Sequence, residues 1–188
     1  VYNYSYATTV DKAKSDAKAV VKILNGRKTR VYLDVEDACQ KGLGALLIDI
    51  INAYADVIKE NNLEFGVYTG QSFYHTYIKP YGGIKYPLWI ARYGKNDGIM
   101  NERYKPNIAD IVGWQFTSKA QISGIQGGVD KNIWYEEVES KVDGAKSFSK
   151  ELAGAYQTAA NLNLRRGAGT HKSKITLIPK NGKVRCYG

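Results

Sequence analysis

Asp34 and Glu36 stand two residues apart in the run Arg30-Val31-Tyr32-Leu33-Asp34-Val35-Glu36-Asp37. Apolar Val31, Leu33 and Val35 alternate with Tyr32, Asp34 and Glu36, which is the period of a strand whose successive side chains point to opposite faces. The two carboxyls therefore share a face, with their Cα atoms roughly 6.6–6.8 Å apart. At that spacing one ionised carboxylate raises the pKa of the other, and one group keeps its proton near neutral pH. Acid-catalysed cleavage of a glycosidic bond needs such a pair: a proton donor for the leaving oxygen and a negative charge facing the developing oxocarbenium ion. Two solvated acids at a strand end, held by Lys or Arg, are the alternative that the spacing alone leaves open.

The surrounding chain must position that pair. Val1–Ala7 reads as a strand with Tyr2, Tyr4 and Tyr6 on one face. Thr9 caps a helix whose stripe is Val10, Ala13, Ala17, Val20, Val21 and Leu24, and Gly26 ends it. A second helix follows Gly42 and Gly44 and closes at Asn61-Asn62, with Leu43, Leu46, Leu47, Ile50, Ile51, Tyr54, Val57 and Ile58 buried. Leu63–Gly70, Pro87–Gly94, Ile111–Ser118 and Gly128–Trp134 read as further strands. Gln71–Tyr81 is an aromatic short helix or loop, Lys95–Pro106 a polar loop, and Ser118–Gly128 a turn-rich connection. Strand–helix alternation argues a parallel α/β arrangement, in which functional residues gather at the carboxyl ends of strands. Six strands are too few to close an eight-stranded barrel.

Composition sets bounds. The 188 residues are 44% hydrophobic, enough for one sizeable core and a small module. Tyr is frequent, at 15, and such rings serve either as sugar platforms or as core. The net charge of +9 is uneven: seven of the 27 Lys and Arg lie in 154–188, which has no Asp or Glu. That segment suits an anionic partner, a cell-wall polymer or a nucleic acid, or is a soluble basic module. No helix-turn-helix or zinc motif supports nucleic acid. Cys39 and Cys186 lack metal-ligand spacing and read as free thiols, with a disulfide as the alternative. His75 and His171 have no motif around them, so a His-based metal site or triad is not expected. No apolar run reaches the length of a membrane span.

YLDVED, FGVYTG, PLWIARYG, GWQFTS and GVDKN, in this order, resemble the family-25 glycoside hydrolases, the muramidase-type lysozymes of phage endolysins and autolysins. The likeness runs from Val1 to about Glu137, and in style is nearest to clostridial phage or prophage endolysins. Thr158–Gly188, opening on Asn161-Leu162-Asn163-Leu164-Arg165-Arg166-Gly167, resembles the start of a bacterial SH3-like wall-binding module.

The resemblance implies an α/β fold, a TIM-like barrel of which strands three to eight are present. Residues 1–140 would form the catalytic barrel, 141–153 a linker and 154–188 part of an all-β SH3-like module. It implies cleavage of the β-1,4 bond between N-acetylmuramic acid and N-acetylglucosamine with retained configuration, no metal or other cofactor, and peptidoglycan as partner rather than nucleic acid or membrane. Glu36 matches the general acid. Asp34 matches the carboxylate that stabilises the intermediate or orients the substrate's acetamide. Asp130 matches a further acid at the groove floor, with a turn cap after Gly127-Gly128 as its other reading. Tyr4, Tyr68, Trp89, Tyr93, Trp114 and Gln115 match groove-lining positions, although each ring alone also suits a core. Arg92 alternates away from Tyr93 and reads as a structural ion pair. The family's opening strand, with its own Asp, has no counterpart here, so both ends read as cut and two strand edges as open to pairing. A wall-binding remnant without turnover is the alternative. A phage enzyme would be made in the host cytoplasm, an autolysin secreted.

Overall fold

The computed structural model describes residues 1–135, 154–165 and 173–186. The chain divides into two compact units, Val1–Val138 and Glu139–Gly188. The expected linker, 141–153, and His171 lie outside the described residues.

In the first unit, strands β1 (Tyr2–Tyr4), β2 (Arg30–Asp34), β3 (Glu64–Gly70), β4 (Leu88–Ala91), β5 (Ile111–Ala120) and β6 (Val129–Trp134) form one sheet in sequence order. β1 to β5 run parallel. β6 is antiparallel to β5, so the sheet is mixed rather than wholly parallel. Residues 121–128 are too few for a parallel crossover, which needs about a dozen residues or more. Gly124 and Gly127, both at positive φ, turn the chain there instead.

Helices α1 (Val10–Leu24) and α2 (Ala45–Glu60) supply the two longest crossovers. The Thr9 hydroxyl accepts from the Lys12 amide at 3.2 Å and starts α1; Asn25, in the left-handed region, ends it. α2 buries Leu47, Ile50, Ile51, Tyr54, Val57 and Ile58. Leu46, expected in that stripe, lies at its margin in the first turn and is exposed. Val31, Leu33, Val35, Val67, Ile90 and Trp114 meet these helices in one apolar core. Gln71–Tyr81 is a run of short helical turns.

The other face of the sheet is concave. β2 and β6 stand four places apart, about 19 Å in a flat sheet, yet the Tyr32 and Trp134 rings are 5.8 Å apart. Two glycines make room for the rings inside the curl. A Cβ on Gly66 would sit 2.6 Å from the Tyr32 ring, and one on Gly113 would sit 2.7 Å from the Trp134 ring. The expected barrel is thus an open, curled half-barrel with β1 and β6 at its margins.

The second unit pairs β7 (Gly154–Gln157) with β10 (Lys183–Cys186), and β8 (Leu162–Arg165) with β9 (Lys174–Ile178), all antiparallel. Thr158 ties its turns: the hydroxyl donates to the Pro179 carbonyl at 2.6 Å and accepts from the Gly182 amide at 2.9 Å.

Candidate active site

β2 ends at Asp34, earlier than the alternation suggested, and Glu36 lies just beyond it. Alternation carries past the strand end because the Val35 amide donates to the Tyr68 carbonyl at 2.9 Å, and the Thr69 hydroxyl donates to the Val35 carbonyl at 2.6 Å. Asp37 then accepts from the Cys39 amide at 2.9 Å and starts a short helical turn. Val31, Leu33 and Val35 anchor one side of this stretch in the core, so Asp34 and Glu36 face the concavity.

That concavity is a cavity of about 230 Å³, lined by Tyr2, Tyr4, Asp34, Glu36, Tyr68, Trp89, Tyr93, Gln115 and Asp130. All six strands and the segments after β2 and β4 contribute, so residues distant in sequence meet at the strand ends. Asp34 is only 5% exposed, and its Oδ1 has no hydrogen-bond partner among the described residues. Burial first, and then the charge of Glu36, push its pKa up to about 7. Glu36 is reachable from the cavity but partly desolvated by its walls; that desolvation, followed by the charges of Asp130 and Asp37, raises its pKa as well. Asp130 is exposed and accepts no hydrogen bond among the described residues, which disfavours its reading as a turn cap. None of these three acids forms an ion pair among the described residues. Of the alternative, two solvated acids held by Lys or Arg, Asp34 departs in being buried, and neither acid meets a Lys or Arg among the described residues. Three unneutralised carboxyls in one cavity can hold a shared proton near neutrality and place negative charge opposite it.

The aromatic residues are fixed by one another. Tyr68 donates to Gln115 Oε1 at 2.8 Å, and Tyr93 donates to the same oxygen. Burial raises the pKa of both phenols, so both stay protonated. Trp89 Nε1 donates to Asn132 at 2.8 Å, with its ring 4.6 Å from Tyr68 and 5.1 Å from Trp134. Tyr4 donates to Asp37 at 3.0 Å; desolvation and that hydrogen bond push its pKa up to about 12.

Eight of the nine residues proposed from sequence line this cavity. Trp114 does not. It is fully buried in the helix-covered core, and its Nε1 donates to the Arg92 carbonyl at 2.9 Å. The reason is strand alternation: with Gln115 facing the cavity, its neighbour faces the helices. Arg92, expected in an ion pair, instead donates to the Lys105 carbonyl at 2.6 Å. Cys39 is a free, exposed thiol, whereas the Cys186 side chain lies outside what is described. Tyr2 lines the cavity without having been singled out, and Asn132 and Trp134 support its wall. The signal existed in each case: Tyr2 alternates with Tyr4, and Asp130, Asn132 and Trp134 alternate along one strand.

Residues 1–125 match the family described as Glycosyl hydrolases family 25. The chain is 30% identical over 148 residues to the Escherichia coli K12 protein YegX, covering 75% of this chain and 46% of that one. It is 31% identical over 124 residues to the autolytic lysozyme of Clostridium acetobutylicum, covering 62% of this chain and 35% of that one. Among solved structures, the catalytic domain of endolysin ply40, from bacteriophage P40 of Listeria monocytogenes, superposes with a TM-score of 0.59 at 27% identity, covering 71% of this chain and 65% of that one. The chain spans less than half the length of the curated relatives it matches.

Proposed function

The chain belongs to glycosyl hydrolase family 25, and from that premise we propose that it is a peptidoglycan hydrolase of the muramidase type. The carrying observation is the cavity that joins Asp34, Glu36 and Asp130 beneath a wall of phenols and indole. In this reading Glu36, raised in pKa yet reachable, protonates the oxygen linking N-acetylmuramic acid to N-acetylglucosamine. Asp34, in its ionised form, supplies negative charge toward the oxocarbenium-like centre, its raised pKa making that form more prevalent as pH rises through about 7, and configuration is retained. Asp130 keeps the pKa of Glu36 high, so that the proton is still present near neutral pH. Tyr4, Tyr68, Trp89 and Tyr93 offer ring faces and edges to the sugars.

Residues 1–140 are the catalytic part in this proposal, 141–153 a linker, and 154–188 an SH3-like segment that adds wall affinity. The antiparallel strand pairs and the excess of Lys and Arg after Gly154 support that last assignment. The place of action is the bacterial cell wall, which a relative named an autolytic lysozyme supports. No helix among the described residues is long and apolar enough to cross a membrane.

Borohydride reduction of a digest of purified peptidoglycan tests the bond. Reduced muramic acid at the new ends is expected. Reduced glucosamine instead, or no new ends, would reject the muramidase assignment.

A further inference from the structure

Hydrogen-bond bookkeeping in the cavity singles out one group. Tyr4 gives its proton to Asp37, Trp89 gives its own to Asn132, and Tyr68 and Tyr93 both give theirs to Gln115 Oε1. Apart from Tyr2, two-thirds exposed at the sheet margin, these are all the phenol and indole donors of the lining. The carboxyls are acceptors once ionised, and the proton that Glu36 holds is committed to the leaving oxygen. Gln115 alone retains an uncommitted amide donor: it lines the cavity, its Oε1 takes both phenol protons, and its Nε2 has no partner among the described residues.

The direction of that donor is set. Gln115 is 3% exposed, and both lone pairs of its Oε1 are taken by the two phenol protons. Flipping the amide would leave two phenol protons and a carbonyl oxygen without partners, two of these groups belonging to side chains that are nearly buried. Resting on the glycan-hydrolase reading above, we propose that Gln115 Nε2, aimed by the Tyr68 and Tyr93 hydroxyls, is the specificity donor of the site and recognises an acceptor oxygen on the bound sugar. A cavity otherwise rich in acceptors tolerates sugar hydroxyls, which donate. Beyond the leaving oxygen that Glu36 protonates, it asks for one further acceptor, the oxygen that the substrate presents to Gln115 Nε2. Tyr68 and Tyr93 are then positioning residues for Gln115 in addition to being walls.

The test uses the full 188-residue chain carrying Glu36→Gln to stop turnover, with a peptidoglycan tetrasaccharide as probe. Side-chain NMR follows the Gln115 amide and the Trp89 indole. The expected result is that both signals move together on addition of the glycan. Adding Gln115→Glu, which keeps the acceptor for both phenols and removes the amide donor, is expected to weaken binding about 10-fold or more in a chain that is still folded at the assay temperature but melts lower, because a nearly buried carboxyl replaces an amide. Adding Tyr93→Phe is expected to release the amide, seen as faster exchange of its protons, with a smaller loss of affinity. Movement at Trp89 without movement at Gln115, or undiminished binding by the Gln115→Glu chain, would overturn the inference alone. Silence at both probes would overturn the glycan-hydrolase reading, and this inference with it.

Discussion

The two faces of the curled sheet are built from alternate residues of the same strands and obey opposite rules. On the helix side, Val31, Leu33, Val35, Ile90 and Trp114 are almost without exposure, and the apolar side chains interlock. On the concave side, Asp34, Glu36 and Asp130 share a cavity, and one buried carboxylate oxygen has no partner among the described residues. The first face holds the fold together; the second keeps charges together at a cost to the fold. Trp114 and Gln115 are adjacent in sequence and divide between them: one anchors the core, the other holds two phenols. Burial on one side of the sheet thus supports electrostatic tension on the other.

Substitutions can break this contrast, and the largest effect falls on chemistry alone. Glu36→Gln is expected to lower turnover by about 100- to 10,000-fold, the usual worth of general acid catalysis, and to leave the chain folded, with a melting temperature at pH 7 no lower than the parent's because the pKa of Glu36 is raised as well. Asp34→Asn is expected to cost nearly as much in turnover. Trp114→Ala should do the reverse, destabilising the fold by about 3–5 kcal/mol in denaturant titration through the cavity it leaves, whatever its effect on binding.

Asp34→Asn sharpens the contrast further, because it should stabilise while it inactivates. The folded pKa of Asp34, about 7, stands above its ordinary value of 3.8. Between those values the native state binds more protons than the unfolded one, so this group's contribution to stability is full at low pH and is lost as pH rises toward 7. Asn carries no charge. The variant should therefore gain roughly 1–4 kcal/mol over the parent at pH 7 and nothing at pH 3, read from paired melts. Asp130→Asn is the subtlest. Removing that charge lowers the pKa of Glu36, so the alkaline limb of the kcat/KM profile should move to lower pH, with peak turnover falling less than in Glu36→Gln.

Much of this contrast was legible in the sequence. Alternation placed Asp34 and Glu36 together, and helical spacing with its caps placed α1 and α2. Alternation applied consistently would also have sent Trp114 to the core; the motif containing it drew both it and Gln115 to the groove. What the sequence hid was long-range. The antiparallel turn of β6 follows from a connection too short to cross over, but the meeting of Tyr32 with Trp134 depends on the curl, and the curl on Gly66 and Gly113 leaving space for rings from other strands. The partner of Arg92 was equally hidden, since a backbone carbonyl carries no mark in the sequence.

The most direct measurement is release of reducing ends from purified peptidoglycan by the 188-residue chain, beside its Glu36→Gln variant. The account predicts release by the parent and its loss in the variant, with the variant melting no lower than the parent. Equal release by the two, or none from a folded, wall-bound parent, would contradict the claim that this cavity cleaves glycan.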